Sequence, residues 1–142
     1  MTRRWSVRLF VCFCACLLVG CGSGRPKTAI VRGTVTYKGK PVPNGTVNFI
    51  PADGPSATAT IGRDGAYRLT TFKEGDGAVL GTHRIVVVAM QDMTGKTGAD
   101  WSPLPEPIVP LKYTSLSTTD LTADVKEGEN TVDLVLKDDK KR

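Results

Sequence analysis

A chain of 142 residues has room for one domain. Its formal net charge of +5 comes from 19 Lys and Arg against 14 Asp and Glu, which by itself would suit a nucleic-acid partner. Three of the bases, Arg3, Arg4 and Arg8, lie in the first 20 residues, which contain no acid. Without that segment 16 bases face 14 acids, a charge of +2, and the bases are scattered apart from a charged tail at 138–142. The composition therefore excludes a nucleic-acid-binding face.

The N-terminal segment has the pattern of a secretory signal peptide. Its three arginines precede an unbroken apolar run over residues 9–19. At a helical rise of about 1.5 Å per residue this run is too short to cross a hydrocarbon core of about 30 Å. A basic start followed by about 7–15 apolar residues is typical of a cleaved signal. We therefore predict that residues 1–20 are removed and take no part in the fold.

The apolar run ends in Leu18, Val19, Gly20 and Cys21. This sequence resembles the lipobox of bacterial lipoprotein precursors. The resemblance implies cleavage before Cys21 and acylation of that residue, so that residues 21–28 tether the domain to a membrane. Each buried CH₂ of an acyl chain contributes about 0.8 kcal/mol, and two or more chains give stable anchoring. The alternative is an ordinary secreted protein with a chance cysteine.

Removal of the signal peptide changes the cysteine count. Cys12, Cys14 and Cys16 lie inside the apolar run and leave with it. The processed domain then has no disulfide and no thiolate metal site. Gly22, rather than Asp, follows the lipidated residue and favours the outer membrane, on the periplasmic or external face of the cell envelope.

The rest of the chain alternates between apolar and polar residues with the period of a β-strand. In the first run Val31, Val35 and Tyr37 fall on one side. Farther on, Asp64-Gly65 separates two alternating runs, and Asp-Gly in that position is a strong hairpin signal. Such short runs, without a helical period, predict an all-β sandwich. We expect its seven strands within residues 31–37, 47–49, 58–61, 66–71, 82–90, 121–125 and 131–136.

A long proline-rich connection at residues 91–120 interrupts this pattern. Loops of that length are usually functional or loosely ordered. Two of its aromatic residues, Trp101 and Tyr113, are candidates for ligand or partner contact, because such rings stack on sugars or anchor a protein partner. The alternative is that both rings pack onto the sandwich and fix the loop in place.

Six segments occur in order along the chain: Val31-x-Gly33-x-Val35, Gly39–Phe49, Asp64–Leu69, Gly81–Val87, Ile108–Tyr113 and Val125–Val132. The first four resemble the carboxypeptidase regulatory-like domain, also called transthyretin-like or prealbumin-like, and the last two resemble segments of small bacterial lipoproteins that carry this domain alone. The resemblance covers residues 29–137 and implies a seven-stranded Greek-key sandwich without intrinsic catalysis, as in small bacterial lipoproteins that carry this domain alone. His83 stands where the family commonly has Tyr, and we interpret it as a packed imidazole.

The sequence contains no recognisable catalytic or metal-binding constellation. One His without a Gly-x-Ser-x-Gly elbow does not suggest a Ser-His-Asp triad, and one His with no free Cys is a poor start for a zinc site. We therefore expect a non-catalytic, lipid-anchored module of the cell envelope, without metal or cofactor, that contacts an envelope protein or has a structural role. One alternative is a carbohydrate-binding module that uses the loop aromatics. Another is an unrecognised hydrolase that depends on His83.

Overall fold

The computed structural model describes residues 24–92 and 105–138. Their strands are β1 (Thr28–Tyr37), β2 (Lys40–Pro41), β3 (Gly45–Pro51), β4 (Ala57–Ile61), β5 (Ala66–Arg68), β6 (Ala78–Val79), β7 (Gly81–Ala89), β8 (Thr122–Val125), β9 (Glu129–Thr131) and β10 (Leu134–Leu136). A single 3₁₀ turn in the described residues, Leu111–Thr114, precedes β8. The predicted signal peptide, the lipobox and Trp101 lie outside the described residues.

Strand β1 is the centre of the first sheet. Along one edge it pairs in turn with β6, β5 and β2, all antiparallel, and along the other edge with β9 and then β10, both parallel. Two main-chain hydrogen bonds to consecutive residues of β1 show its two edges, because successive residues of a strand direct their carbonyls to opposite sides. The Leu69 N–H donates to the Val31 carbonyl on one edge, and the Val132 N–H donates to the Arg32 carbonyl on the other. Residues distant in sequence therefore meet on a single strand.

The second sheet has the order β4-β3-β7-β8 and is antiparallel throughout. Alternate residues of β3 and β7 point inward, as a sheet with one face on a core requires. Val47, Phe49, Ile85 and Val87 are all fully buried. They pack with the inward residues of β1 and β5 into one hydrophobic core between the two sheets.

The prediction of an all-β sandwich is confirmed, with one difference in the last predicted strand. Residues 131–136 do not form one strand, because β9 ends at Thr131 and β10 begins at Leu134. Between them the Asp133 carboxylate, not a main-chain carbonyl, accepts from the Thr34 N–H at 2.9 Å. A side chain thus replaces the main-chain ladder at this point. Strands β2 and β6, of two residues each, gave no alternating pattern.

The described part of the long connection follows the free edge of β7 beyond β8. The Ile108 N–H donates to the Ala89 carbonyl at 3.0 Å, and the Ile85 N–H donates to the Leu121 carbonyl at the same distance. The Thr119 hydroxyl, itself buried, donates to the Ile85 carbonyl at 2.6 Å. Residues 105–120 are therefore packed against the sandwich.

Candidate binding groove

The predicted Asp-Gly hairpin is present between β4 and β5. Gly65 has a φ of +80°, which a residue without a Cβ adopts at little cost, and its N–H donates to the Gly62 carbonyl at 3.0 Å. The Asp64 carboxylate accepts from the Ala66 N–H at 3.1 Å, and the Gly62 N–H donates to the Ala66 carbonyl at 2.8 Å. This turn fixes the register of the two strands.

The hairpin is bonded at both ends and open between them. Its bonded pairs are Gly62 with Ala66 and Thr58 with Thr70. The same register places Thr60 opposite Arg68, midway between these pairs. The described parts of β4 and β5 form no ladder with each other, since β4 pairs with β3 and β5 with β1, and beyond the turn only the isolated bridge of Thr58 with Thr70 joins the two segments.

The main-chain groups of Arg68 and Thr60 face each other outside any strand ladder of the described residues. The Leu69 N–H donates to β1, and alternate residues of a strand direct their main-chain groups to opposite edges, so those of Arg68 point towards β4. Along β4 the main chain of Thr58 bonds towards β5, and that of Thr60 points the same way. Two N–H and two C=O groups therefore point into the space between β4 and β5, where the described residues form no ladder.

The outward side chains of β1 form a second wall. The Arg32 guanidinium donates to the Glu129 carboxylate at 2.9 Å. Both the N–H and the hydroxyl of Thr34 donate to one oxygen of Asp133, at 2.9 and 2.8 Å. These contacts fix a cation and a carboxylate side by side along the strand.

Tyr67 connects this wall to the core. Its hydroxyl donates to the Val132 carbonyl at 2.6 Å, and its ring packs against Phe49 with centroids 6.2 Å apart. Burial, followed by the charge of Asp133, raises the pKa of Tyr67 far above its ordinary value. The hydroxyl therefore stays protonated and serves as a donor that holds the main chain between β9 and β10.

The loop after β5 closes the groove. The Arg68 side chain donates from Nε and Nη2 to the Gly75 carbonyl, both at 3.3 Å, and the ion pairs of the described residues do not include this guanidinium. The open groove has a volume of about 900 Å³. Its polar lining includes Arg32, Thr34, Thr60, Arg68, Glu74 and Asp133.

The chemistry of this groove suits recognition. Its two guanidinium groups are balanced by two carboxylates, so the lining attracts neither anions nor cations as a class. The hydroxyls and the open main chain offer both donors and acceptors, which suits a polar ligand that carries both. Within residues 24–92 and 105–138 no group of three His, Cys, Asp or Glu side chains is placed to hold a metal ion.

Tyr113 lies in the core, not on the surface of the long connection. Its exposed fraction is 2%, because the 3₁₀ turn directs the ring under the edge of β7. Its hydroxyl donates to the Lys137 carbonyl at 3.2 Å and accepts from the Lys137 N–H at 3.0 Å. The ring therefore presents no face for stacking on a sugar, and the role of partner contact predicted for Tyr113 is replaced by that of fixing residues 105–120. Trp101 lies outside the described residues.

His83 is buried on the inner face of β7, apart from the groove. Its ring packs against Phe49 with centroids 5.9 Å apart, and its Nδ1 lies 2.9 Å from the Gly81 carbonyl oxygen. This position agrees with the interpretation of His83 as a packed imidazole. No Ser, Cys or carboxylate hydrogen bond to this ring occurs in the described part of the chain.

The groove residues were not among the residues predicted to be functional. The alternation that placed Val31 and Val35 inward leaves Arg32 and Thr34 on the outward side of β1, but nothing local indicates that Arg68 and Thr60 lie outside a common ladder. The opening depends on β5 leaving β4 to pair with β1, which is a tertiary event. No sequence pattern indicates a role for Asp133, because its hydrogen-bond partner Thr34 is 99 positions away.

No helix among the described residues is long and apolar enough to cross a membrane. No family model matches the chain, and no curated protein matches it. Among solved structures, the chain is similar to a DUF3823 family protein from Parabacteroides merdae, with 16% sequence identity and a TM-score of 0.41. That alignment covers 79% of this chain and 46% of the other, so the chain spans less than half the length of the structure it matches.

Proposed function

We propose that the chain is a non-catalytic, lipid-anchored module of the cell envelope that binds a protein partner through the polar groove. The observation that carries this proposal is the opening between Thr60 and Arg68, where main-chain donors and acceptors face the groove outside any strand ladder of the described residues. Main-chain polar groups in folded proteins are paired or hydrated. A ligand that offers both a donor and an acceptor replaces water at such a place without loss of hydrogen bonds.

The domain that we propose is of the carboxypeptidase regulatory-like type. Two of the segments that carry the resemblance meet structural requirements that support it. A Cβ on Gly33 would lie 1.9 Å from the Val132 carbonyl oxygen, so only glycine fits there. Asp64 and Gly65 form the turn that fixes the β4–β5 register.

An extended peptide segment is the occupant that best fits the groove. Peptide units present N–H and C=O groups of the kind left open at Thr60 and Arg68, as in recognition of extended segments by main-chain hydrogen bonds. The side chains of such a segment would meet charges of both signs along the lining, from Arg32 and Arg68 and from Glu74 and Asp133. This arrangement gives specificity by charge order instead of by net charge.

Site-specific photocrosslinking in the native host tests this proposal. A benzophenone amino acid is placed at Thr60 in the groove and, as a matched control, at Thr122 on the opposite edge of the same sheet. We expect one protein to crosslink from position 60 and not from 122, and to be lost with Arg68→Glu. The same products from both positions, or products that survive Arg68→Glu, would reject the groove as a protein-binding site.

Carbohydrate binding is a second candidate, and one observation favours it. A sugar hydroxyl is at once donor and acceptor and therefore matches the opening between Thr60 and Arg68. The processed protein would then bind cell-surface polysaccharide in a pull-down, and Arg68→Ala would weaken binding while Arg63→Ala, in the exposed turn outside the groove, would not. Loss of binding with Trp101→Ala alone would instead support stacking on the long connection.

The lipid anchor has its own test. In our proposal Cys21 is acylated after cleavage behind Gly20, and the protein partitions with the outer membrane. We expect Cys21→Ser to give an uncleaved precursor or a soluble product, measured by mass spectrometry and membrane fractionation. If the variant stays correctly processed and membrane-bound, the anchor at this residue is wrong.

A further inference from the structure

One end of the sandwich surrounds the point where the chain enters it. The Leu80 N–H donates to the Lys27 carbonyl at 3.2 Å, and Thr28 pairs with Val79. The loop at residues 71–77 and the turn at 126–128 lie at this same end, because Gly77 packs against Ala29 and Glu129 pairs with Ile30. We call this region the tether end and define it by Arg25, Lys27, Phe72, Lys73 and Lys126.

Phe72 is held outward at the tether end by a rigid loop. Its exposed fraction is 37%, high for a large apolar side chain. The Asp76 carboxylate accepts from three successive main-chain N–H groups, those of Thr71 at 2.7 Å, Phe72 at 3.0 Å and Lys73 at 2.9 Å. A loop fixed by three bonds to one charged group has a defined shape, so the exposure of Phe72 is built into it.

Arg25 joins this loop to the predicted anchor. Its guanidinium carbon lies 5.4 Å from the centroid of the Phe72 ring, within the range of a cation–π contact. Arg25 follows Cys21 by four residues, which span at most about 14 Å when fully extended. With the acyl chains of Cys21 in a bilayer, Arg25 stays within about 14 Å of the lipidated residue, so Arg25 and the Phe72 ring beside it can reach the lipid headgroups.

The charges of the tether end favour an anionic lipid surface. Its bases are Arg25, Lys27, Lys73 and Lys126, and its acids are Glu74, Asp76 and Glu127. The oxygens of Asp76 are occupied by main-chain N–H groups, and Glu127 lies 3.5 Å from the Lys27 ammonium. Lys73 forms no ion pair among the described residues and is free to contact a phosphate. An aromatic ring flanked by bases is the composition of an interfacial membrane contact.

We propose that the loop Thr71–Asp76 is a second membrane contact, in which the Phe72 ring enters the headgroup region and Arg25 and Lys73 meet anionic lipid headgroups. This inference rests on the proposed lipid anchor. The proposed contact orients β1 away from the membrane surface, with Thr28 near the membrane and β10 at the opposite end of the strand. The groove then opens sideways, and its Glu74 and Gly75 side lies next to the bilayer.

Depth-dependent quenching in reconstituted vesicles tests this contact. The processed lipoprotein is reconstituted into phosphatidylcholine–phosphatidylglycerol vesicles with brominated acyl chains. Trp101→Phe first removes the only Trp that follows the predicted signal peptide. A probe is then introduced as Phe72→Trp or, as control, as Val135→Trp. Val135 is 59% exposed and pairs with Thr36, about 26 Å along β1 from Thr28.

We expect bromolipid to quench the probe at position 72 by about twofold or more and to leave the probe at 135 nearly unchanged, as interfacial burial of one end predicts. Adding Lys73→Glu should reduce quenching at 72 in vesicles with phosphatidylglycerol and not in pure phosphatidylcholine. Equal quenching at 72 and 135 would overturn the inference. Thermal unfolding checks that both probe variants are folded.

Mass spectrometry of the same samples separates the two proposals. If the protein carries no acyl group on Cys21, the proposed anchor fails and the inference falls with it. If the acyl group is present and the probe at position 72 is not quenched, the anchor stands and only the contact through Phe72 is wrong.

Discussion

His83 is fully buried in the neutral form. Nδ1 faces the Gly81 carbonyl, which can only accept, so the proton sits on Nδ1. Nε2 is buried without a hydrogen-bond partner in the described residues. Burial lowers the pKa of His83 and outweighs the opposing effects of the Gly81 carbonyl and of the Asp124 carboxylate. Protonation of this ring therefore favours the unfolded chain.

The free energy of unfolding should fall as the pH drops below about 6.5, the ordinary pKa of His. The unfolded chain then binds a proton that the folded chain excludes, so this stability is complete above that pH and is lost towards the lowered folded pKa. His83→Phe should remove the dependence that begins below about pH 6.5, the ordinary pKa of His. Asp76 and Asp138, with pKa values lowered from 3.8, titrate below this window. Urea unfolding at several pH values measures the free energy of unfolding of wild type and of His83→Phe. If this free energy changes equally with pH in both proteins, the predicted role of His83 is wrong.

Gly33 is required because two main chains approach closely. A Cβ there would lie 1.9 Å from the Val132 carbonyl oxygen, a main-chain atom that cannot move without breaking the β1 edge. We expect Gly33→Ala to lower the free energy of unfolding by about 3 kcal/mol, the upper range for overpacking. Gly39→Ala is the control: its φ is +74° but nothing lies near the new Cβ, so it should lose only about 1 kcal/mol. Equal losses in chemical denaturation would exclude the steric explanation.

At the scale of single elements, the sequence predicted what is local. Alternation placed Val31 and Val35 inward, and Asp64-Gly65 marked the hairpin, because both signals are contained within a few neighbouring residues. The sequence patterns did not predict contacts between segments that are distant along the chain. Tyr113 has the composition of a surface loop around it, yet it is buried because Lys137 supplies both partners for its hydroxyl.

The same local sequence signals do not predict the candidate groove. Its opening arises where β5 leaves β4 and joins the first sheet, so that Arg68 belongs to the β1 ladder by register and to the β4 hairpin by sequence. A pattern along one strand reports which face is buried, and it does not report which edge is paired. The groove therefore follows from the pairing of whole strands, which places Thr60 and Arg68 in different sheets.

The loop after β5 depends on a single carboxylate. Partial desolvation raises the pKa of Asp76, but bonds from the N–H groups of Thr71, Lys73 and Phe72 together lower it below its ordinary value. Asp76→Asn replaces one acceptor oxygen by a donor, so we expect a loss of about 2 kcal/mol at neutral pH. Glu74→Gln, in the same loop but exposed, should change little.

Thermal unfolding of Asp76→Asn at two pH values checks the cause. The stabilisation by the charged Asp76 is present above its ordinary pKa of 3.8 and is lost as the pH falls through the lowered value. The difference between wild type and Asp76→Asn should therefore shrink in acid. A difference that stays constant from neutral pH to strong acid would show that the carboxylate charge is not what holds the loop.

At the scale of the whole molecule, the first strand of the sandwich pairs with the last one. β1 pairs with β10 in the parallel register Val35↔Leu134 to Tyr37↔Leu136, and these contacts join residues 99 positions apart. Contacts of such separation are formed late and slow the folding of β-sandwiches. The N-terminal strand therefore has an incomplete edge until the last strands are in place.

Deletion of residues 134–142 should for this reason abolish cooperative unfolding. Leu134 and Leu136 are nearly fully buried, and loss of each core leucine costs about 2–5 kcal/mol, which together approaches the whole stability of about 5–15 kcal/mol of a typical domain. The deletion also removes Lys137, both partners of the Tyr113 hydroxyl, and so releases residues 105–120 from the core. Deletion of 139–142 alone keeps every described contact and should leave the unfolding midpoint unchanged. A cooperative transition in the longer deletion, measured by near-ultraviolet circular dichroism, would mean that β1 holds the sandwich together without its parallel partner.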